Sequence, residues 1–146
     1  MSRFLLVFAC LALFPSSGFS QDLEAMMKLT KLKSSYGSAL KQGDFVLAYD
    51  QLVAGRAAEK TLGVAATRST FDARQLTEFS NFKLAQAKRW LMVEEAKSIA
   101  LVELMRLQAL RTLPAGKESL DLLNAAKENA PQEYQQAQKL FDKGTP

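Results

Sequence analysis

Carboxylates are the only acid–base groups this chain holds in quantity, because its 146 residues contain no histidine and one cysteine, Cys10. That excludes a Ser-His-Asp triad, a Cys-His pair, the common zinc sites and a histidine pH switch. Glu78, Glu94, Glu95 and Glu103 lie within one helical stretch of sequence. Two acids from different helices, one with a raised pKa, would suit a small cell-wall hydrolase. On a helical wheel, however, Glu94, Glu95 and Glu103 point about 80 to 180 degrees apart. Solvated helix-face charges are the expected outcome, and a helical di-iron site would also need Glu-x-x-His.

Two basic groupings invite a binding role. Lys28, Lys31, Lys33 and Lys41 follow one another with no acid between Glu24 and Asp44, but on one helix they scatter round the circumference as a charged sleeve. Phe79, Phe82, Lys83, Lys88, Arg89 and Trp90 interleave aromatic and basic side chains. Base stacking is one use of such a pattern; core anchors with flanking solvated charges are the commoner one. Trp90, with Phe79, Lys83 and Arg89, is therefore the candidate partner surface, although a core-edge place for Trp90 is favoured over an interface by about two to one. Around Gly55, the segment from Ala54 to Thr61 has Ala54 and Glu59 where a phosphate-binding loop needs glycines, which rejects it. No dinucleotide, calcium-loop or glycosylation motif is found, so no catalytic, cofactor-binding or metal-binding set is assigned.

The elements that position these residues are helices. Ala, Leu, Lys, Gln and Glu dominate and no sustained alternation signals a strand, so the fold class is all-α, a small bundle or an extended hairpin with one long central helix. A first helix is predicted from about Asp22 to Gln42, with Gly43 as its stop and Asp44 capping a second that ends near Gly63. Gly55 inside that helix costs about 1 kcal/mol relative to alanine, which close packing would explain.

From a cap at Ser69 or Thr70 the helical pattern runs to Leu113 without proline or glycine. One straight helix of that length would reach about 66 Å. It either breaks, with Ser80 and Asn81 as the expected point, or projects as one arm of a hairpin. Phe82, Val93, Ala96, Ala100, Leu104 and Leu107 fall within about forty degrees to either side of Phe82 and form the expected buried stripe. The run from Ile99 to Met105 is apolar nearly all round and is expected to be enclosed by other helices, or to back a cavity for an apolar ligand. Pro114-Ala115-Gly116 should break the chain before a fourth helix from about Glu118 to Asn129. Pro131 then opens a fifth that stops at Gly144.

Before all of these comes a leader-like segment. Arg3 supplies a positive start, Phe4 to Phe14 an apolar run, and Pro15 to Ser20 a small-residue close, the pattern of a secretory signal cleaved after Ser20. Eleven apolar residues fall short of the roughly twenty that span a bilayer. Cys10 stands in mid-run, which argues against lipidation. Cleavage would leave residues 21–146 as one domain with flexible last residues. Removing Arg3 turns 19 basic residues against 15 acids into 18, and a net charge of +4 into +3. Such a weak excess is no nucleic-acid signature. The only cysteine would leave with the leader, so no disulfide would form within the mature chain.

Two stretches carry a resemblance. Phe82 through Trp90 to Leu91 is similar to a helix found before the peptidoglycan-binding domain in some OmpA-like envelope proteins, and Asn129 through Tyr134 and Ala137 to Leu140 resembles the opening of helical repeats in related periplasmic domains. They cover under a fifth of the chain, and the peptidoglycan-binding domain itself is missing. Ala39 through Gly43 to Tyr49, and Tyr134 to Phe141, are similar to tetratricopeptide helix pairs, without a clean 34-residue period. The expected function is an exported, periplasmic or secreted, non-enzymatic helical protein for protein–protein interaction or envelope structure, homo-oligomers included. The hydrolase and the apolar-ligand carrier are its alternatives.

Overall fold

In a computed structural model, which describes residues 17–65 and 68–144, the chain forms six helices and, among those residues, no strand. Helix α1, Ser17–Gln42, starts upstream of the predicted Asp22, since Gly18 alone does not stop a helix. Gly43 takes a left-handed φ of 71° and ends it. Asp44 then caps α2, Phe45–Thr61, its Oδ1 accepting the Leu47 amide at 3.0 Å. Tyr36 and Ala39 of α1 close against Phe45, Ala48, Tyr49 and Leu52 of α2 in the hydrophobic core.

The connection after α2 departs from expectation. Ser69 and Thr70 do not cap the next helix, because both hydrogen-bond back to Glu59. Their turn delivers Phe71 into the slot that Gly55 leaves open on α2: a Cβ built on Gly55 would lie 2.2 Å from the ring. Close packing does explain this glycine, with a loop phenylalanine as the neighbour. Phe71 also meets Tyr36, ring centroids 5.7 Å apart, and its carbonyl accepts from Arg56 Nε at 3.2 Å. The Tyr36 hydroxyl donates to the Asp72 carbonyl. Burial first, then the charge of Asp72, pushes that hydroxyl's pKa up and keeps it a donor.

Helix α3, Arg74–Leu91, runs straight through Ser80 and Asn81. Ser80 is fully buried, and its Oγ donates to the Thr77 carbonyl at 3.0 Å, so it needs no break to be satisfied. The long segment breaks instead at Met92 and Val93, where Val93 is extended (φ −112°, ψ 119°). After a single 3-10 turn, Glu94–Ala96, helix α4, Lys97–Leu107, folds back on α3. The reversal excludes the projecting arm. It also resets the helical phase, so Phe82 (64% exposed) and Val93 (47%) fall outside the core while Leu76, Ser80, Leu84 and Ala87 form the buried face of α3.

The apolar run is enclosed as its composition requires. Residues Ala100 to Met105 are all buried, with α3, α5 and α6 packed round α4, and only Ile99 at its start is exposed. Pro114 does not merely break the chain; it occupies the first turn of α5, Pro114–Asn129. Gly116 therefore lies inside that helix. Pro131 likewise opens α6, Pro131–Asp142, and Gly144 follows with φ 66°. Tyr49 ties the α1–α2 hairpin to the rest: its hydroxyl is 2.8 Å from Thr112 Oγ1 and accepts from the Thr112 amide at 3.1 Å.

Candidate functional site

The Gly43-Asp44 turn brings Phe45, the first residue of α2, against Phe79 on α3, with ring centroids 5.5 Å apart and planes tilted by 57°. Lys83, one helical turn beyond Phe79, holds its Nζ 5.8 Å from that ring's centroid. A cleft of about 420 Å³ opens beside the aromatic pair, lined also by Leu40, Lys41, Gln42 and Gln75. A second of about 340 Å³ shares Gln42, Gly43, Phe45 and Phe79 with it and reaches Lys83, Glu103 and Arg106. Arg106 and Glu103 approach to 3.6 Å at its far end. The place is thus an apolar floor with charged edges, suited to holding a side chain or a short segment of another molecule.

Of the four surface candidates, Phe79 and Lys83 meet in this cleft. Trp90 lies on the same flank of α3, about 16 Å further along at 1.5 Å per residue, and is half-buried. Arg89 is exposed and lies about 100 degrees round the helix from Trp90, so it does not join them. The sequence placed Lys41 in a charged sleeve and gave Phe45 and Val46 no part in a site. Their signal was the stop-and-cap pair Gly43 and Asp44, which turns both flanking segments toward one place.

The carboxylates do not converge on a catalytic pair. Glu78 and Glu95 are exposed, Glu94 is bonded to Lys97, and Glu103 pairs with Arg106. Among the described residues no group of three or more His, Cys, Asp or Glu gathers to hold a metal. The two clefts open at the α1–α2 turn, and the second touches the apolar run of α4 only at Glu103.

The most buried acid among the described residues is one to which sequence alone gave no role. Glu59, 3% exposed, accepts from the Thr70 amide at 2.8 Å, from Thr70 Oγ1 at 2.6 Å and from the Ser69 hydroxyl. Burial by itself would raise its pKa, but these hydrogen bonds and the charge of Lys33 outweigh it and hold the carboxyl below its ordinary 4.5. A general acid needs the opposite shift, so Glu59 is a staple for the loop that carries Phe71.

Because the folded state lowers this pKa, Glu59 stabilises the protein fully above the ordinary carboxylate value, and its contribution declines as pH falls through the folded value. Glu59→Gln is expected to lose about 2 kcal/mol at neutral pH. Thermal unfolding of both proteins across pH should show the gap closing toward strong acid; a gap that widened there would contradict this account.

No helix among the described residues is long and apolar enough to cross a membrane. Arg3, the Phe4 to Phe14 run and Cys10 lie outside the described residues. No family model matches this chain, and no curated protein or solved structure is significantly similar to it.

Proposed function

We propose that this chain is an exported, non-enzymatic helical module that holds a protein partner of the cell envelope in the cleft between the α1–α2 turn and α3. The observation that carries the reading is the Phe45–Phe79 pair beneath Lys83. Aromatic anchors at the floor of an open, charge-edged cleft are the groups that dominate protein interfaces. The leader-like first twenty residues and the resemblance of the α3 and α6 segments to envelope helices support the location. The clefts open to solvent and carry Lys41, Gln42 and Gln75 at their edges, which suits a peptide better than a wholly apolar ligand.

A photo-crosslinking side chain at Val46, which lines the cleft, is expected to give a discrete adduct in intact cells, while the same group at the exposed Asn81 gives none. Lys83→Glu should erase the Val46 adduct and leave helicity unchanged. Equal labelling at both positions, or no adduct from a chain that is a compact monomer in scattering, would sink the proposal. N-terminal sequencing of the isolated protein checks export separately, with Gln21 expected as the first residue.

A further inference from the structure

The first described turns of α1 carry an apolar stripe that no other described residue covers. Leu23, Met26 and Met27 are 55%, 60% and 60% exposed. They stand at the i, i+3, i+4 spacing that aligns side chains on one helix face. The buried and half-buried residues of the same helix, Leu29, Leu32, Tyr36, Ala39 and Leu40, centre roughly 150° round the helix from Leu23, with Leu29 and Leu40 bordering Met26. Helix α1 has 26 residues against 17 in α2, so its first turns extend beyond its partner helix.

The charges beside this stripe are ordered. At about 100° per residue, Lys31 and Lys33 lie roughly 80° to either side of Leu23, and Glu24 and Asp22 lie roughly 100° to either side. Glu24 shares a flank with Lys31, and Asp22 shares the other with Lys33. All four are exposed. In an antiparallel helix pair related by a twofold axis, each flank meets the same flank of the other copy, at levels mirrored about the axis. One register therefore satisfies both flanks at once. With the axis near Met27 and Lys28, Glu24 comes level with the partner's Lys31, and Asp22 with the partner's Lys33.

We infer that the N-terminal half of α1 is a homodimer interface, in which two copies of the chain pair antiparallel, bury Leu23, Met26 and Met27 on one another and match acid to lysine along both edges. Thr30 and Ser34, small residues on the same face, leave room for the second helix. The patch is about three helical turns long, below the size of a standard interface, so the dimer is weak and depends on concentration. A lipid surface suits the stripe less well. The acids at both edges would face anionic headgroups and offset the lysines.

The test is analytical ultracentrifugation of protein isolated from cells expressing the full chain. The unmodified protein should pass from monomer to dimer as concentration rises. Lys31→Glu alone and Glu24→Lys alone should each weaken association on the order of tenfold, since each sets like charges opposite one another at two symmetry-related places. Mixing the two single variants should restore a heterodimer, because every flank then pairs acid with lysine again. Circular dichroism separates loss of pairing from loss of fold. A monomer at all concentrations would overturn the inference, as would association that ignores both charge reversals. Binding of the monomer to phosphatidylglycerol vesicles, lost in Met26→Glu, would assign the stripe to lipid instead.

Discussion

Gly55→Ala is expected to destabilise the protein by about 2–4 kcal/mol, against the helix propensity of the substitution. In an exposed helix interior, alanine for glycine gains about 1 kcal/mol. Here the added Cβ would fall 2.2 to 2.5 Å from three atoms of the Phe71 ring. Phe71 is 1% exposed and held between α2 and Tyr36, so the ring has nowhere to retreat within the fold. Relieving the overlap means expelling it, and losing a buried phenylalanine costs about 3–5 kcal/mol. The same logic predicts non-additivity. Once Phe71→Ala has emptied the slot, adding Gly55→Ala should raise stability instead of lowering it. Denaturant titration of the two single variants and the double variant decides the matter, and additive losses would show that the ring does not depend on the glycine.

Gly116→Ala carries the second large expectation. A Cβ at this position would lie 2.1 Å from the Leu110 carbonyl oxygen and 2.6 Å from its carbon. The obstacle is backbone, which cannot rotate aside as a side chain tip can. The turn from Leu107 to Leu113 must shift, and with it the buried Leu107 and Leu110 that close the core between α4 and α5. A loss of about 3 kcal/mol or more is expected, the upper end of the overpacking range. Gly37 in α1 supplies the control, because nothing lies within 4 Å of its would-be Cβ. Gly37→Ala should stabilise by about 1 kcal/mol. Thermal unfolding followed by helical ellipticity should therefore move in opposite directions for two chemically identical substitutions. Equal shifts would mean that the α4–α5 turn yields without cost.

Both expectations concern joints that place the candidate cleft and its neighbours. The Phe71 plug holds the α1–α2 hairpin to the start of α3, and Phe79 then stands one and a half turns along that helix, opposite Phe45. Glu59 secures the same joint by binding the two residues before Phe71. A protein without histidine or disulfide chemistry in its described residues thus relies on a buried carboxylate and a packed ring to orient its two helical groups.

The site was legible only in part. Phe79 and Lys83 could be singled out because aromatic and basic residues one helical turn apart share a face. Phe45 could not be matched to Phe79, since 34 positions separate them and no local rule pairs them. The expected stripe failed at Phe82 and Val93 for a related reason: a wheel assumes one continuous helix, and the reversal at Met92 and Val93 starts a new phase. Ser80 and Asn81 looked like a break because serine and asparagine compete for backbone hydrogen bonds, yet a buried serine satisfied within its own helix is tolerated.

What the residues determined by themselves was the helical class, the ends marked by Gly43 and Asp44, Pro131 and Gly144, and the absence of histidine and thiol chemistry beyond Cys10. Such signals act within a turn or two of the chain, where propensity and capping are decided. The tertiary structure decided where the long segment folds back, which side chain fills the gap at Gly55, and that Glu59 anchors a loop. Those outcomes depend on burial shared between distant segments. The face of α1 that is left bare follows from the same cause, because one short partner helix covers only part of a longer one.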